Sequence, residues 1–126
     1  MQIQGEMKRL LEEFPGLNLV AFGDLSSGLV LDSAARTAFP REVLDLLGEK
    51  AVACFSMLRQ GAGPAQADPA VFGASVIHFS ERGSRVFARH PDAADDVICA
   101  IADPGVELEP LLQSISGLAR KIGGQE

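Results

Sequence analysis

Residues 17–33, LNLVAFGDLSSGLVLDS, carry the clearest structural signal in the chain. Two short apolar runs, 17–23 and 29–33, flank the polar segment 24–28, in which Gly28 is able to take a positive φ angle. Each run is too brief for a helix and is bounded by turn residues. The pattern predicts a β-hairpin of two antiparallel strands.

Three amphipathic helices are predicted around this hairpin. The first has apolar residues from Ile3 to Phe14 on one helical face and ends at Pro15 and Gly16. The second follows Pro40 and covers residues 41–60, and the third has apolar residues at helical spacing from Leu108 to Ile122.

Three further strands are predicted between the second and third helices, at residues 73–80, 85–90 and 97–102. The last of these is apolar on both faces, which is typical of a central strand that is covered on both sides. The predicted order is α-β-β-α-β-β-β-α, an α/β fold of layered α+β type. At 126 residues the chain fits one domain, 1–126.

The middle helix carries more apolar surface than one sheet requires. One row contains Leu44, Leu47, Ala51, Phe55 and Leu58. A second row contains Val43, Leu46, Ala53, Cys54 and Met57. A helix that lies on a single sheet needs only one apolar face. Deeper burial within one domain would explain both rows, but the remaining elements are few and short, so we expect a contact with another chain.

Charge and targeting signals exclude several classes of partner. The net charge is −6, from 11 basic and 17 acidic residues, and the arginines are spread along the chain. An acidic protein repels nucleic acids and anionic membranes, so neither is an expected partner. The N-terminus lacks the apolar core of a signal peptide and no apolar run is long enough for a membrane span, which predicts a cytoplasmic location.

The sequence offers no recognisable catalytic, cofactor or metal site. No glycine-rich loop with lysine is present for nucleotide binding, and His78 and His90 have no partner at metal-ligand spacing. Ser75, His78 and Asp96 form a hydrolytic triad only on paper. Cys54 and Cys99 lie in apolar runs and are expected to be reduced, buried thiols. We therefore expect a protein that is not an enzyme and binds no cofactor.

The order of elements resembles the roadblock/LC7 domain over essentially the whole chain. The residues that carry the resemblance are the helix exit at 14–16, the segments 20–22 and 24–31 of the hairpin, and the closing apolar helix 111–122. The resemblance implies a five-stranded antiparallel sheet with the middle helix on one face and the terminal helices on the other. It also implies a homodimer, with middle helices packed together and third strands paired edge to edge. In such relatives the dimer is a platform for small Ras-like GTPases, a scaffold, or a motor-associated light chain of the dynein type.

The predicted interface combines one helix face and one strand edge. On the exposed apolar side of the middle helix we predict Val43, Leu46, Leu47, Cys54 and Met57. On the edge strand we predict Ser75, Ile77 and Phe79. A charge at Leu47 or Met57 is expected to split the dimer. If the protein supplied an arginine to a GTPase, Arg82 and Arg85 at a hairpin tip, or Arg59, would be the candidates.

Two alternatives stay open. A ligand sensor of profilin-like or PAS-like type would need a cavity with converging polar groups, for which His78, Ser75 and Asn18 are the candidates. A purely structural scaffold subunit would need no GTPase partner. The long segment 61–68 and the polar segment 89–96 depart from the usual roadblock pattern, and both lie near the expected contact regions.

Overall fold

The computed structural model describes residues 3–61, 75–80, 83–89 and 95–123. In chain order the elements are α1 (Ile3–Glu13), β1 (Leu17–Asp24), β2 (Leu29–Ala35), α2 (Arg41–Gly61), β3 (Ser75–Ser80), β4 (Gly83–Arg89), β5 (Asp96–Ala102) and α3 (Leu108–Gly123). This is the predicted order. Gly73, Ala74, Arg82 and His90 lie outside the described residues, as do most of the two departing segments.

The five strands form one antiparallel sheet in the order β2-β1-β5-β4-β3. The strand with two apolar faces, β5, lies in the middle, as its composition predicted. Residues 97–100 are buried because helices cover both faces of the sheet there. The predicted fold class, with its five-stranded antiparallel sheet between helices, is confirmed.

Each face of the sheet has its own core. Helices α1 and α3 bury their apolar stripes on one face, where Met7, Leu111 and Ile115 pack against Val86 and Ile98. Helix α2 lies on the opposite face, and its packing residues are Leu47, Ala51 and Phe55, which contact Leu19, Val30, Phe87 and Cys99. The sheet is therefore the middle layer of three.

The turn between β1 and β2 is stabilised by Asp24. Its carboxylate accepts hydrogen bonds from the hydroxyls of Ser26 and Ser27, both at 2.8 Å, and its carbonyl accepts the Gly28 N–H at 2.8 Å. Gly28 has φ of 74°, a conformation that favours glycine, as the sequence predicted. The hydrogen bonds from Ser26 and Ser27 hold the pKa of Asp24 below its ordinary value, because they favour the ionised carboxylate.

A close backbone contact joins this turn to α2. A Cβ atom added at Gly48 would overlap the carbonyl oxygen of Gly28, so position 48 has to be glycine for the helix to approach the turn. This contact fixes how α2 is rotated about its axis, and therefore which residues of the helix face the sheet.

Arg36, just beyond β2, binds the end of α1. Its guanidinium donates hydrogen bonds to the carbonyls of Leu11, Phe14 and Leu17, the last two at 2.9 and 3.0 Å. Carbonyls at a helix C-terminus lack partners within the helix, and a cation there also interacts favourably with the helix dipole. One side chain therefore joins α1, β1 and the β2 end of the sheet.

Candidate interaction surface

One flank of α2 is apolar and not covered by the rest of the domain. Leu46 is 63 % exposed, Ala53 is exposed and Val43 is half-buried. With the half-buried Lys50 they follow a spacing of i, i+3, i+7 and i+10, which places them on one side of the helix. This set, Val43, Leu46, Lys50 and Ala53, is called the α2 flank below.

The α2 flank lies on the side of the helix away from the turn between β1 and β2. Gly48 faces that turn, and Leu46 lies about 200° round the helix axis from Gly48. Phe55, further along α2, reaches β4: the centroid of its ring is 5.3 Å from the guanidinium carbon of Arg89, a cation–π distance.

Strand β3 is the sheet edge on this side. It pairs with β4 in a regular register from Ser75 opposite Ala88 to Ser80 opposite Gly83, and its other edge has no partner strand among the described residues. Ile77 packs against the core beneath α1 and α3. By strand alternation Ser75 shares that face, and both residues are half-buried.

Leu47 is not on the exposed side of α2, and that part of the prediction is wrong. Only 1 % of its surface is exposed, because it packs into the core between α2 and the sheet, so a charge there would disrupt the fold itself. Cys54 is half-buried and contacts the same core. Leu46 is exposed, as predicted, and Val43 is half-buried. The side chains of Met57 and Phe79 lie outside the described part of the chain.

Positive charge accompanies the α2 flank. Arg85 and Arg89 alternate on β4 with the buried Phe87, so all three side chains share the face that α2 covers. Arg85 lies opposite His78 of β3, two positions from the end of the paired strands, and is not at a hairpin tip as predicted. His78 has a buried Nδ1 atom for which the described residues supply no hydrogen-bond partner. Arg85 and Arg89 form a basic region in a chain whose net charge is −6.

The polar residues considered for chemistry do not converge. Ser75 and His78 are three positions apart on β3, so they point to opposite faces, and Asp96 pairs with Asp24 at the start of β5. The amide of Asn18 donates to the carboxylate of Asp103 at 2.8 Å on the surface. Neither the triad nor the proposed ligand site is therefore assembled from these side chains.

The thiols and the metal-ligating side chains give no further site in the described ranges. Burial raises the pKa of the Cys99 thiol to about 12, so this cysteine stays protonated and unreactive. Within residues 3–61, 75–80, 83–89 and 95–123 no three His, Cys, Asp or Glu side chains are grouped to hold a metal ion. Across the same residues, no helix combines the length and the apolar character needed to cross a membrane.

Strand β2 carries an apolar surface that was not predicted. Leu29 and Leu31 are 49 % and 58 % exposed at this second edge of the sheet. Phe22 pairs with Asp32 and Gly23 with Val30, so Leu31 is the extra residue of a β-bulge. The unbroken apolar run from Leu29 to Leu31 is its sequence signal, because a regular half-buried strand would alternate.

This three-layered arrangement, with one long helix opposite two terminal helices and a basic, apolar surface beside an open strand, defines a roadblock/LC7 fold. The roadblock/LC7 domain from Streptomyces avermitilis matches with a TM-score of 0.72 at 13% identity, over 97% of this chain and 95% of that one. MglC from Myxococcus xanthus matches with a TM-score of 0.68 at 11% identity, over 98% of both chains. The gliding protein MglB from Thermus thermophilus matches with a TM-score of 0.66 at 15% identity, over 94% of this chain and 88% of that one.

These likenesses establish the fold, and they confirm the resemblance predicted from the sequence. No protein-family model matches the sequence, and no curated protein matches it either. A profilin solved in complex with rabbit actin, LokiProfilin2, also shares the fold, with a TM-score of 0.63 at 13% identity over the full length of both chains.

Proposed function

We propose that this chain forms a two-fold homodimer through the α2 flank and the β3 edge, and that the dimer binds and regulates a small Ras-like GTPase. The observation that carries the proposal is Leu46, which is 63 % exposed on the α2 flank, together with strand β3, whose outer edge has no partner strand among the described residues. An open strand edge is a template for pairing with another chain. A two-fold axis here brings α2 against α2 and β3 against β3, a closed assembly in which both partners use the same surface.

The GTPase is inferred from the resemblance, since roadblock/LC7 dimers are platforms for such proteins. The basic region formed by Arg85 and Arg89 supports a partner with an acidic surface, because complementary charge accelerates and orients association. No catalytic group of this chain's own is needed for that role: a bound platform is able to order the GTPase's own residues.

The dimer is tested by substituting two leucines of nearly equal exposure. Leu46→Asp places a charge in the proposed interface, and Leu31→Asp makes the same change at the opposite edge of the sheet, where the starting residue is 58 % exposed. By light scattering, the parent and Leu31→Asp are expected at twice the chain mass of 13.3 kDa, and Leu46→Asp at the chain mass. A monomeric parent, or a dimer in Leu46→Asp, rejects the proposed interface.

Hydrogen exchange tests independently whether the edge strand β3 pairs with a second copy. In the parent, the outward amides of β3 are expected to exchange slowly and those of β2 quickly. In Leu46→Asp the β3 protection is expected to disappear, because the partner strand is lost. Equal protection of β3 in the two proteins contradicts strand pairing even if the helices associate.

The GTPase proposal is tested separately with Ras-like GTPases from the same genome, each loaded with GDP or a non-hydrolysable GTP analogue. Nucleotide-dependent capture by the dimer is expected, with a change in single-turnover GTP hydrolysis. Substitution of Arg59, Arg82 and Arg85 by alanine, one at a time, decides whether an arginine is supplied in trans. Loss of a supplied arginine would lower stimulated hydrolysis about 10³-fold or more, whereas unchanged hydrolysis in all three variants would leave the ordering of the GTPase's own residues as the mechanism. Capture of none of these GTPases by an intact dimer favours a structural scaffold instead.

A further inference from the structure

A groove lies between α1 and α3 on the face of the sheet opposite α2. It is open to solvent and has a volume of about 640 Å³. Its floor contains Leu10, Gly117 and Leu118, and its α1 wall carries Glu6, Glu12 and Glu13. Both floor leucines are buried, at 6 % and 4 % exposure, so only a narrow apolar strip of each reaches the groove.

The groove is deep at Gly117 because α3 has no side chain there. A Cβ atom added at this position would have no atom within 4 Å apart from the helix's own neighbouring backbone. Glycine inside a helix is less stable than alanine, and here neither packing nor a positive φ requires it. The residue therefore weakens α3 while keeping the groove open.

One end of the groove is acidic in the isolated domain. Helix α1 ends with Glu12 and Glu13 and has no basic residue of its own in its last turn, and the cation bound at this end, Arg36, donates its hydrogen bonds to backbone carbonyls. The two cations of the groove, Arg9 and Lys121, both pair with Oε1 of Glu6, at 2.9 and 3.1 Å. Among the described residues, the carboxylates of Glu12 and Glu13 are left without a partner, and they give their end of the groove a negative charge.

From the open position at Gly117 and the acidic end formed by Glu12 and Glu13 we propose that the groove binds a basic amphipathic helix of a partner protein. Its apolar side chains would lie over Leu10, Gly117 and Leu118, and its lysines or arginines would pair with Glu12 and Glu13. A groove between two helices accepts a third helix through anchors at helical spacing. The site lies on the opposite side of the sheet from the α2 flank, so its occupation does not depend on the proposed dimer or GTPase.

The probe is a fluorescein-labelled amphipathic peptide of about sixteen residues, with leucines at helical spacing and lysines on the other face. A matched peptide carries glutamate in place of lysine. Fluorescence anisotropy is expected to show binding of the lysine peptide only. Gly117→Gln fills the groove without changing charge, and Glu12→Gln with Glu13→Gln removes the charge without filling it; each is expected to weaken binding about tenfold or more.

The control is Glu107→Gln with Glu109→Gln, an equal charge change at two exposed positions outside the groove lining. It is expected to weaken binding less than about twofold. Thermal melting separates loss of the site from loss of the fold, since both groove variants remove features that disfavour the helices and are expected to melt no lower than the parent. Failure of the lysine peptide to bind, full binding by Gly117→Gln, or equal weakening by the two charge pairs overturns the proposal.

Discussion

The two edges of the sheet are built differently, although each ends in a short strand beside a helix. At β2 the carbonyls of Ser33 and Val30 accept hydrogen bonds from the side chains of Gln4 and Arg41, at 2.8 and 3.3 Å. The bulge at Leu31 interrupts the regular register as well. At β3 the pairing with β4 runs without a shift from one end of the strand to the other.

This difference supports β3, rather than β2, as the edge at which the proposed second copy pairs. Proteins keep an edge strand from pairing with a β-bulge or by covering its backbone groups. Strand β2 has a bulge, and side chains donate hydrogen bonds to two of its carbonyls. The helix α2 is asymmetric as well, because its Gly48 side meets the turn at Gly28 while the α2 flank, on the other side of the helix, is left uncovered by the described residues.

The largest expected difference in stability is between alanine substitutions at two adjacent residues on different sides of α2. Leu47→Ala empties a fully enclosed site under the helix and is expected to lower the free energy of unfolding by about 2–5 kcal/mol. Leu46→Ala, the matched control, removes the same atoms from a surface position and is expected to cost the monomer less than about 1 kcal/mol. Urea denaturation, at a protein concentration where light scattering finds the monomer, measures both. A similar cost at the two positions would show that the helix is rotated relative to the contact at Gly48.

A smaller loss of stability is expected when the hydrogen bonds that join the β2 side of the sheet to α1 are removed. Arg36→Ala removes the guanidinium that binds three carbonyls at the end of α1, and is expected to cost about 1.5–3 kcal/mol, the range for hydrogen bonds to a charged group. Arg36→Lys keeps the charge but loses the forked donor geometry, so it is expected to restore only part of the stability. Denaturation midpoints check both variants. Full stability in Arg36→Ala would mean that solvent satisfies these carbonyls equally well.

The weakest of these effects is a pH dependence confined to the turn beside β2. Since the folded pKa of Asp24 is lowered, its stabilisation is complete above its unfolded pKa of about 3.9 and is lost as the pH falls through the folded value. An NMR titration of the Asp24 carboxyl is expected to give a midpoint below that of an unstructured peptide. Ser26→Ala and Ser27→Ala are each expected to raise it, and an unchanged midpoint in both would remove the hydroxyls as the cause.

The sequence predicted the layers of this fold better than its surfaces. The spacing of apolar residues identified all three helices, and the two-sided apolar character of 97–102 placed β5 in the middle of the sheet, because burial on both faces leaves no polar position. Leu46 and Leu47 could not be separated in this way, since equal hydrophobicity at neighbouring positions is compatible with either rotation of α2. The informative residue was Gly48, whose missing side chain allows the close approach to Gly28.

The bulge at Leu31 bears on how large an assembly this protein forms. A monomer with two reactive ends grows into a polymer, whereas a monomer with one reactive end stops once that end is used. With β2 interrupted by the bulge and β3 unpaired on its outer edge among the described residues, the proposed pairing gives this chain a valence of one toward strand addition. A joined sheet of two copies would present a blocked edge at each end, so a growing fibre would need the loss of a bulge rather than the gain of a contact.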